Sequence, residues 1–173
     1  MLPELTLVLG GAASGKSTFA ESLIKATGRG QVYVATAQIF DTEMRAKVHR
    51  HKTDRGQGWK TIEAPFDLGP VLAKIAGDHA ILVDCATMWL SNHLLAENDL
   101  AQAEAELMTG LAICAAPVVI VSNEVGQSVV PDNALARRFR DEQGRLNQRL
   151  AARAGLVVNV IAGLPQVLKG TLP

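Results

Sequence analysis

The sequence predicts an α/β fold in three layers, with a mostly parallel central sheet covered by helices on both faces. Three observations carry the prediction. Strand-like and helix-like segments alternate along most of the 173 residues. The strand-like segments are continuous apolar runs, as strands buried on both faces read, rather than the alternating pattern of half-exposed ones. The first run, Leu5–Leu9, ends at Gly10 and leads through small residues straight into a helix-forming segment. Parallel strands require right-handed crossovers, and such sheets place ligands at the carboxyl ends of their strands.

In chain order, strands are expected at Leu5–Leu9, Gln31–Ala35, Ala80–Asp84, Pro117–Val121 and Leu156–Ile161, each β-branched or leucine-rich. A shorter strand is expected at Trp59–Glu63. Helical patterns fill the intervals at Lys16–Ala26, Thr42–Arg55, Leu68–Ala76, Thr87–Ala96, Leu100–Ala115 and Asn133–Ala154. Phe19, Ala20, Leu23 and Ile24 give the first helix an apolar face. Pro131-Asp132 starts the last one, where Leu135, Phe139, Leu146 and Leu150 are expected to form a core-facing stripe. Arg137, Arg138, Arg140, Arg145 and Arg149 then read as a solvated or subunit-contact face, and Trp59 and Trp89 as packing residues. No repeat, low-complexity tract or long linker divides the chain, so residues 1–173 are expected to be one domain.

Composition removes several classes of function. Hydrophobic residues make up 48% and charged residues 20%, unlike a disordered chain. With a formal net charge of +0, nothing at whole-chain level suggests a nucleic-acid surface or an anionic membrane, and neither is expected as a partner. No apolar stretch reaches the roughly 18–20 residues of a bilayer span. The first residues lack the basic segment and small-residue cleavage site of a secretory signal, so the expected compartment is the cytoplasm. Cys85 and Cys114 have no metal-ligand spacing and are expected as buried, reduced thiols.

The chemistry begins after the first strand. Gly10-Gly11-Ala12-Ala13-Ser14-Gly15-Lys16-Ser17, followed by Thr18, is the phosphate-cradling pattern G-x-x-x-x-G-K-S. Small side chains let successive backbone N–H groups close around phosphate oxygens, and the helix that starts near Lys16 points its positive end at the same anion. Lys16 adds a full charge at the β- and γ-phosphates, and Ser17 offers a hydroxyl to Mg²⁺. Asp84, after the apolar run Ala80–Val83, matches the aspartate that holds the same ion directly or through water. Together these imply a nucleoside triphosphate site on a P-loop NTPase-type, RecA-like fold. The strand-end loops Gly10–Ser17, Thr36-Ala37-Gln38, Asp84–Thr87, Ser122–Gly126 and Ala162–Pro165 are expected to face the nucleotide.

The segment Asp41–Arg55 is rich in basic residues and histidine. On a helix, His51 shares a face with Met44, Lys47 and Val48, and His49 falls on the opposite side. Two readings stay open from spacing: a basic surface helix with solvated histidines, or His51 as a nucleophile or general acid/base beside phosphate.

Several separate stretches resemble one family, the bifunctional adenosylcobinamide kinase/adenosylcobinamide-phosphate guanylyltransferases of cobalamin assembly. They are Gly10–Ser17, Tyr33–Ala37, Asp41-x-Glu-Met44, the histidine segment through His51, Trp59-x-Thr-x-Glu63-x-Pro65 and Asp84-Cys-Ala-Thr-x-Trp-Leu-Ser-Asn92. Ser122-Asn-Glu-Val-Gly126, Arg138-Phe-Arg-Asp-x-x-Gly-Arg-Leu-Asn-Gln148 and Ala162–Pro165 complete the set. Ala13 and Gly56 depart from the family's usual arginine and proline without removing a reactive group. The resemblance implies phosphorylation of the aminopropanol hydroxyl of adenosylcobinamide by ATP or GTP. GMP transfer from GTP to adenosylcobinamide phosphate follows, through a guanylyl-histidine on His51. It implies that Thr36, Ala37, Gln38, Lys52, Thr53, Asp54, Arg55 and Glu63 help hold the guanine nucleotide, and that the enzyme is a homotrimer. A guanine-reading N-K-x-D sequence, which a GTP-dependent switch would carry, is not found.

Overall fold

Apolar runs of strand length need cover on both sides, and the fold supplies it. The computed structural model describes residues 1–38 and 58–173. Seven strands among these residues form one sheet: β1 (Leu5–Gly10), β2 (Gly30–Ala35), β3 (Trp59–Glu63), β4 (His79–Asp84), β5 (Val118–Asn123), β6 (Leu156–Ile161) and β7 (Leu164–Lys169). Their order across the sheet is β3-β2-β4-β5-β1-β6-β7. The neighbours from β3 to β6 pair in parallel, and β7 alone runs antiparallel to its neighbour.

Alternate residues along each strand go to opposite faces, and so build two cores. On one face Val8, Leu82, Val119, Val121, Val158 and Val160 pack against Ala20, Leu23 and Ile24 of α1 (Lys16–Lys25). On the other, Leu7, Val83, Ile120 and Val157 pack against α2 (Leu68–Leu72), α3 (Ala86–Leu95), α4 (Leu100–Ile113) and α5 (Ala134–Arg153). This is the three-layer α/β architecture expected from the continuous apolar runs.

The expected strands are all present, shifted by a residue or two at their ends. The expected helix at 42–55 lies outside the described residues. Two expectations are corrected. Ala162–Pro165, expected as a strand-end loop facing the nucleotide, is a tight turn and the start of a strand: Ala162 and Gly163, with φ of 51° and 79°, turn the chain back at once into β7. Positive φ at both central residues is the two-residue hairpin geometry. β7 escapes sequence detection because every residue in it is exposed, so no burial pattern marks it; Pro165 is tolerated because an edge strand leaves N–H positions unpaired. Leu135 is likewise not part of the core stripe of α5. It is 51% exposed, whereas Leu146 and Leu150 are fully buried. Asn133 caps the helix by accepting the Ala136 N–H, so Leu135 sits in the first turn, ahead of the stretch that meets the sheet.

Candidate active site

β1 delivers the chain to Gly10, the loop turns over the sheet, and α1 begins at Lys16. Gly15 stands just before the helix at φ 90°, a conformation that only glycine takes without strain, and a Cβ there would meet the Gly163 Cα at 3.2 Å. A Cβ on Gly10 would lie 2.7 Å from the Val160 carbonyl oxygen. Neighbouring strand ends hold the loop. The Glu124 N–H donates to the Gly10 carbonyl (3.1 Å), and the Gly163 N–H in the β6–β7 turn donates to the Ser14 carbonyl (2.8 Å). Lys16 folds back over the loop, its Nζ donating to the Gly11 carbonyl at 3.0 Å. Gly15 offers no side-chain cap, and no acidic residue occupies the first turn of α1. Its leading N–H groups and positive end therefore stay available to an anion.

Asp84 closes the opposite wall. Leu82 packs in the core on the α1 face, so Asp84, two residues on, ends β4 on that same side. Its Oδ2 accepts a hydrogen bond from the Tyr33 hydroxyl at 3.2 Å. The next residue, Cys85, is buried, and burial together with the adjacent Asp84 carboxylate pushes its thiol up to about 11. It is a neutral thiol at physiological pH, not a nucleophile. Cys114 is half-buried and free as well, its thiol pushed up by burial.

Residues 12–18, Tyr33, Ala37, Asp84, Cys85, Met88 and Asn123 line one cavity of about 560 Å³. Of the sequence-predicted residues, Ala12, Ala13, Ser14, Gly15, Lys16, Ser17, Thr18, Ala37 and Asp84 therefore come together. Gly10 and Gly11 belong to the same loop but do not line the cavity. Thr36 is fully buried beneath the site: its hydroxyl donates to the Cys85 carbonyl (2.7 Å) and accepts the Cys85 N–H (2.8 Å). Its carbonyl accepts from Asn92 Nδ2 at 2.7 Å, so Thr36 fastens β2 to β4 and to α3 rather than facing the cavity. Gln38 and Glu63 are not in the cavity wall, and Glu63 stands exposed at the carboxyl end of β3, opposite Ala35. His51 and Lys52–Arg55 lie outside the described residues. Tyr33 and Met88 were not expected in the wall. The signal for Tyr33 was its register opposite Leu82, which no single strand reveals.

Similarity to known proteins agrees with this geometry. Two solved structures share the fold. They are the flagellar accessory protein FlaH from Methanocaldococcus jannaschii (TM-score 0.53, 12% identity, 96% of this chain and 78% of that one) and the RadB recombinase (TM-score 0.53, 21% identity, 91% and 74%). The fold is that of RecA-like P-loop NTPases. The bifunctional adenosylcobalamin biosynthesis protein CobU of Salmonella typhimurium is 43% identical across 95% of this chain and 99% of that protein. CobP of Pseudomonas aeruginosa, which has the same descriptive name, is 41% identical across 95% and 96%. The family described as cobinamide kinase / cobinamide phosphate guanyltransferase matches residues 6–168. With the phosphate loop, Asp84 and the sheet in place around that match, the chain belongs to the cobinamide kinase / cobinamide phosphate guanyltransferase family, the bifunctional transferases of adenosylcobalamin biosynthesis.

Proposed function

We propose that both reactions of the family run on this one cavity, acting on adenosylcobinamide and then on adenosylcobinamide phosphate. The observation that carries the reading is the convergence of Lys16, Ser17 and Asp84 on a cavity floored by a phosphate loop. Its volume of about 560 Å³ falls in the range of small-molecule sites, roughly 300–1,000 Å³. In the first reaction the aminopropanol hydroxyl attacks the γ-phosphorus of ATP or GTP, and the nucleoside diphosphate leaves. The loop N–H groups from Ala12 to Thr18 and the Lys16 ammonium hold the phosphates and take up charge that develops on the leaving oxygen. In the second, the His51 imidazole attacks the α-phosphorus of GTP and pyrophosphate leaves. A phosphate oxygen of adenosylcobinamide phosphate then displaces the imidazole and takes the GMP. Ala37 holds the guanine nucleotide at the cavity wall and Thr36 sets Ala37 from beneath, while Gln38, Lys52, Thr53, Asp54, Arg55 and Glu63 hold the part of the nucleotide that extends beyond that wall.

The residues fit a hard divalent cation. The Ser17 hydroxyl and the Asp84 carboxylate line the same cavity, and among the described residues no cluster of three or more His, Cys, Asp or Glu competes as a metal cage. Few protein oxygens, with the remaining positions left to phosphate and water, is the pattern Mg²⁺ prefers. Mg²⁺ bound there supplies charge neutralisation on the phosphate oxygens. We further propose a homotrimer, one catalytic domain over residues 1–173, and a cytoplasmic location; among the described residues no helix is long and apolar enough to cross a membrane.

Incubating the purified protein with GTP and Mg²⁺, without corrinoid, and weighing it intact tests the covalent step. An acid-labile, base-stable GMP adduct is expected, absent in His51→Ala, which keeps its phosphorylating activity. Lys16→Ala is expected to slow both reactions by about 10²-fold or more. Full GMP transfer by His51→Ala would overturn the role of His51.

A further inference from the structure

Lys16, Ser17 and Asp84 account for the phosphates, but none of them explains how the attacking alcohol is held at the γ-phosphorus. We infer that Asn123 does this: its Nδ2 hydrogens donate to a γ-phosphate oxygen, and its Oδ1 accepts the O–H of the substrate alcohol. The inference rests on the proposed nucleotide occupying the cavity.

Strand parity gives the first argument. Val119 and Val121 pack in the core on the α1 face, so Asn123 continues β5 on that side, and its side chain lines the cavity. Ser122, between them, points the opposite way, into α5. In register, Asn123 lies beside Gly10, the first residue of the phosphate loop, and two positions beyond Val121, the partner of Asp84. The sheet order β4-β5-β1 therefore sets Asn123 between the aspartate and the loop.

The second argument is how firmly this residue is held. Its N–H donates to Thr87 Oγ1 of α3 at 2.8 Å, and its carbonyl accepts from Asn147 Nδ2 of α5 at 3.2 Å. Asn147 is itself fixed, its Oδ1 accepting from Ser122 Oγ (2.6 Å) and from Gln143 Nε2 (3.0 Å). Thr87, Ser122, Gln143 and Asn147 are all buried, and the Gln143 Oε1 is left without a partner. The unpartnered Gln143 acceptor carries a desolvation cost, and the remaining hydrogen bonds of this buried network fix the backbone at Asn123. Thr87, Asn147, Ser122 and Gln143 are positioning residues; only the Asn123 carboxamide reaches the cavity.

Chemistry completes the case. A carboxamide carries both a donor and an acceptor without charge, so it can bridge a phosphate oxygen and an alcohol. It does not take the proton. The O–P bond forms as the β–γ bridging P–O bond breaks, the nucleoside diphosphate leaves with the electron pair, and the alcohol proton passes to solvent. A loose phosphoryl-transfer transition state asks mainly for positioning, not for a strong base. The Glu124 carboxylate, next along the chain, accepts the Gly126 N–H at 2.7 Å and is not part of the cavity wall.

The test uses the full chain with Asn123→Ala and Asn123→Asp. Kinase turnover on the cobinamide alcohol, GMP transfer to the preformed phosphate, nucleotide Kd and Tm are measured for each. Asn123→Ala should lower the kinase kcat/KM about 10²-fold, at least tenfold more than it lowers GMP transfer, with Kd within several-fold and Tm near that of the parent. Asn123→Asp keeps the shape and the acceptor but loses the donor and adds charge facing phosphate, so it should be at least as impaired. Kinase activity within about threefold of the parent in both variants would overturn the role of Asn123. Equal loss of both reactions with a lowered Tm would overturn it too, in favour of a structural residue. A parent protein that neither binds nucleotide nor phosphorylates the alcohol would instead sink the reading of the site itself.

Discussion

Cys85 lies in the wall of the cavity, next to a carboxylate, and its thiol is pushed from 9.0 to about 11 by burial first and by Asp84 second. The folded state therefore keeps a proton that the unfolded chain releases above pH 9.0. Below that pH the contribution is constant; as pH rises from 9.0 towards 11, the folded state is progressively disfavoured. The full window corresponds to roughly 3 kcal/mol. Melting curves of the parent and Cys85→Ala, compared between pH 8 and 11, should converge as pH rises, the parent losing stability faster. A constant difference across that range would show that the thiol titrates normally. The same residue should resist iodoacetamide at pH 8 in the folded protein, because thiolate is the reactive form.

At the scale of elements, small residues decide which backbones can touch. Gly69 in α2 and Gly110 in α4 face each other, and a Cβ on Gly110 would lie 2.5 Å from the Gly69 Cα. The two helices cross backbone to backbone, an approach no larger residue allows. Gly110→Ala gains about 1 kcal/mol in helix propensity, but it must push rigid backbone aside, which costs typically 1–3 kcal/mol and more where nothing can yield. A net destabilisation of about 2 kcal/mol is expected from urea unfolding. Equal or greater stability would mean the helices re-space freely. The β6–β7 turn works in the same way at the phosphate loop, where Gly163 packs against Gly15 and its N–H donates to the Ser14 carbonyl. The hairpin's position, rather than any side chain it carries, braces the loop.

At the scale of the molecule, the site is where β4, β5 and β1 end side by side, each delivering one group: Asp84, Asn123 and the phosphate loop. A nucleotide bound there contacts the folded chain alone. At a hundredfold excess over its Kd it should stabilise the protein by about 2.7 kcal/mol. A rise in Tm with GTP and Mg²⁺ is expected in the parent and is expected to disappear in Lys16→Ala. An equal rise in both would place the nucleotide elsewhere.

Much of this was legible in the chain itself. Leu5–Leu9, Ala80–Val83 and their neighbours are apolar throughout, and only a sheet covered on both faces can bury such runs. The spacing of Gly10, Gly15, Lys16 and Ser17 is a local property of consecutive residues, as is a carboxylate after four apolar ones at Asp84. These were determined by sequence because each depends on neighbours along the chain. What depended on neighbours across it was not readable. Thr36 was expected at the nucleotide, but its hydroxyl is taken up by the Cys85 backbone. Leu135 fits a helical stripe, but α5 meets the sheet only further along, at Leu146 and Leu150. β7 is exposed and carries no periodicity, so only its ladder with β6 identifies it. Tyr33 enters the wall through strand register, which places residues distant in sequence on one face, whereas Asn123 lies in a strand-end stretch that the sequence already expected to face the nucleotide. The local motifs set what chemistry the chain could hold, and the hydrogen-bonded register of the sheet decided which side chains would stand around it.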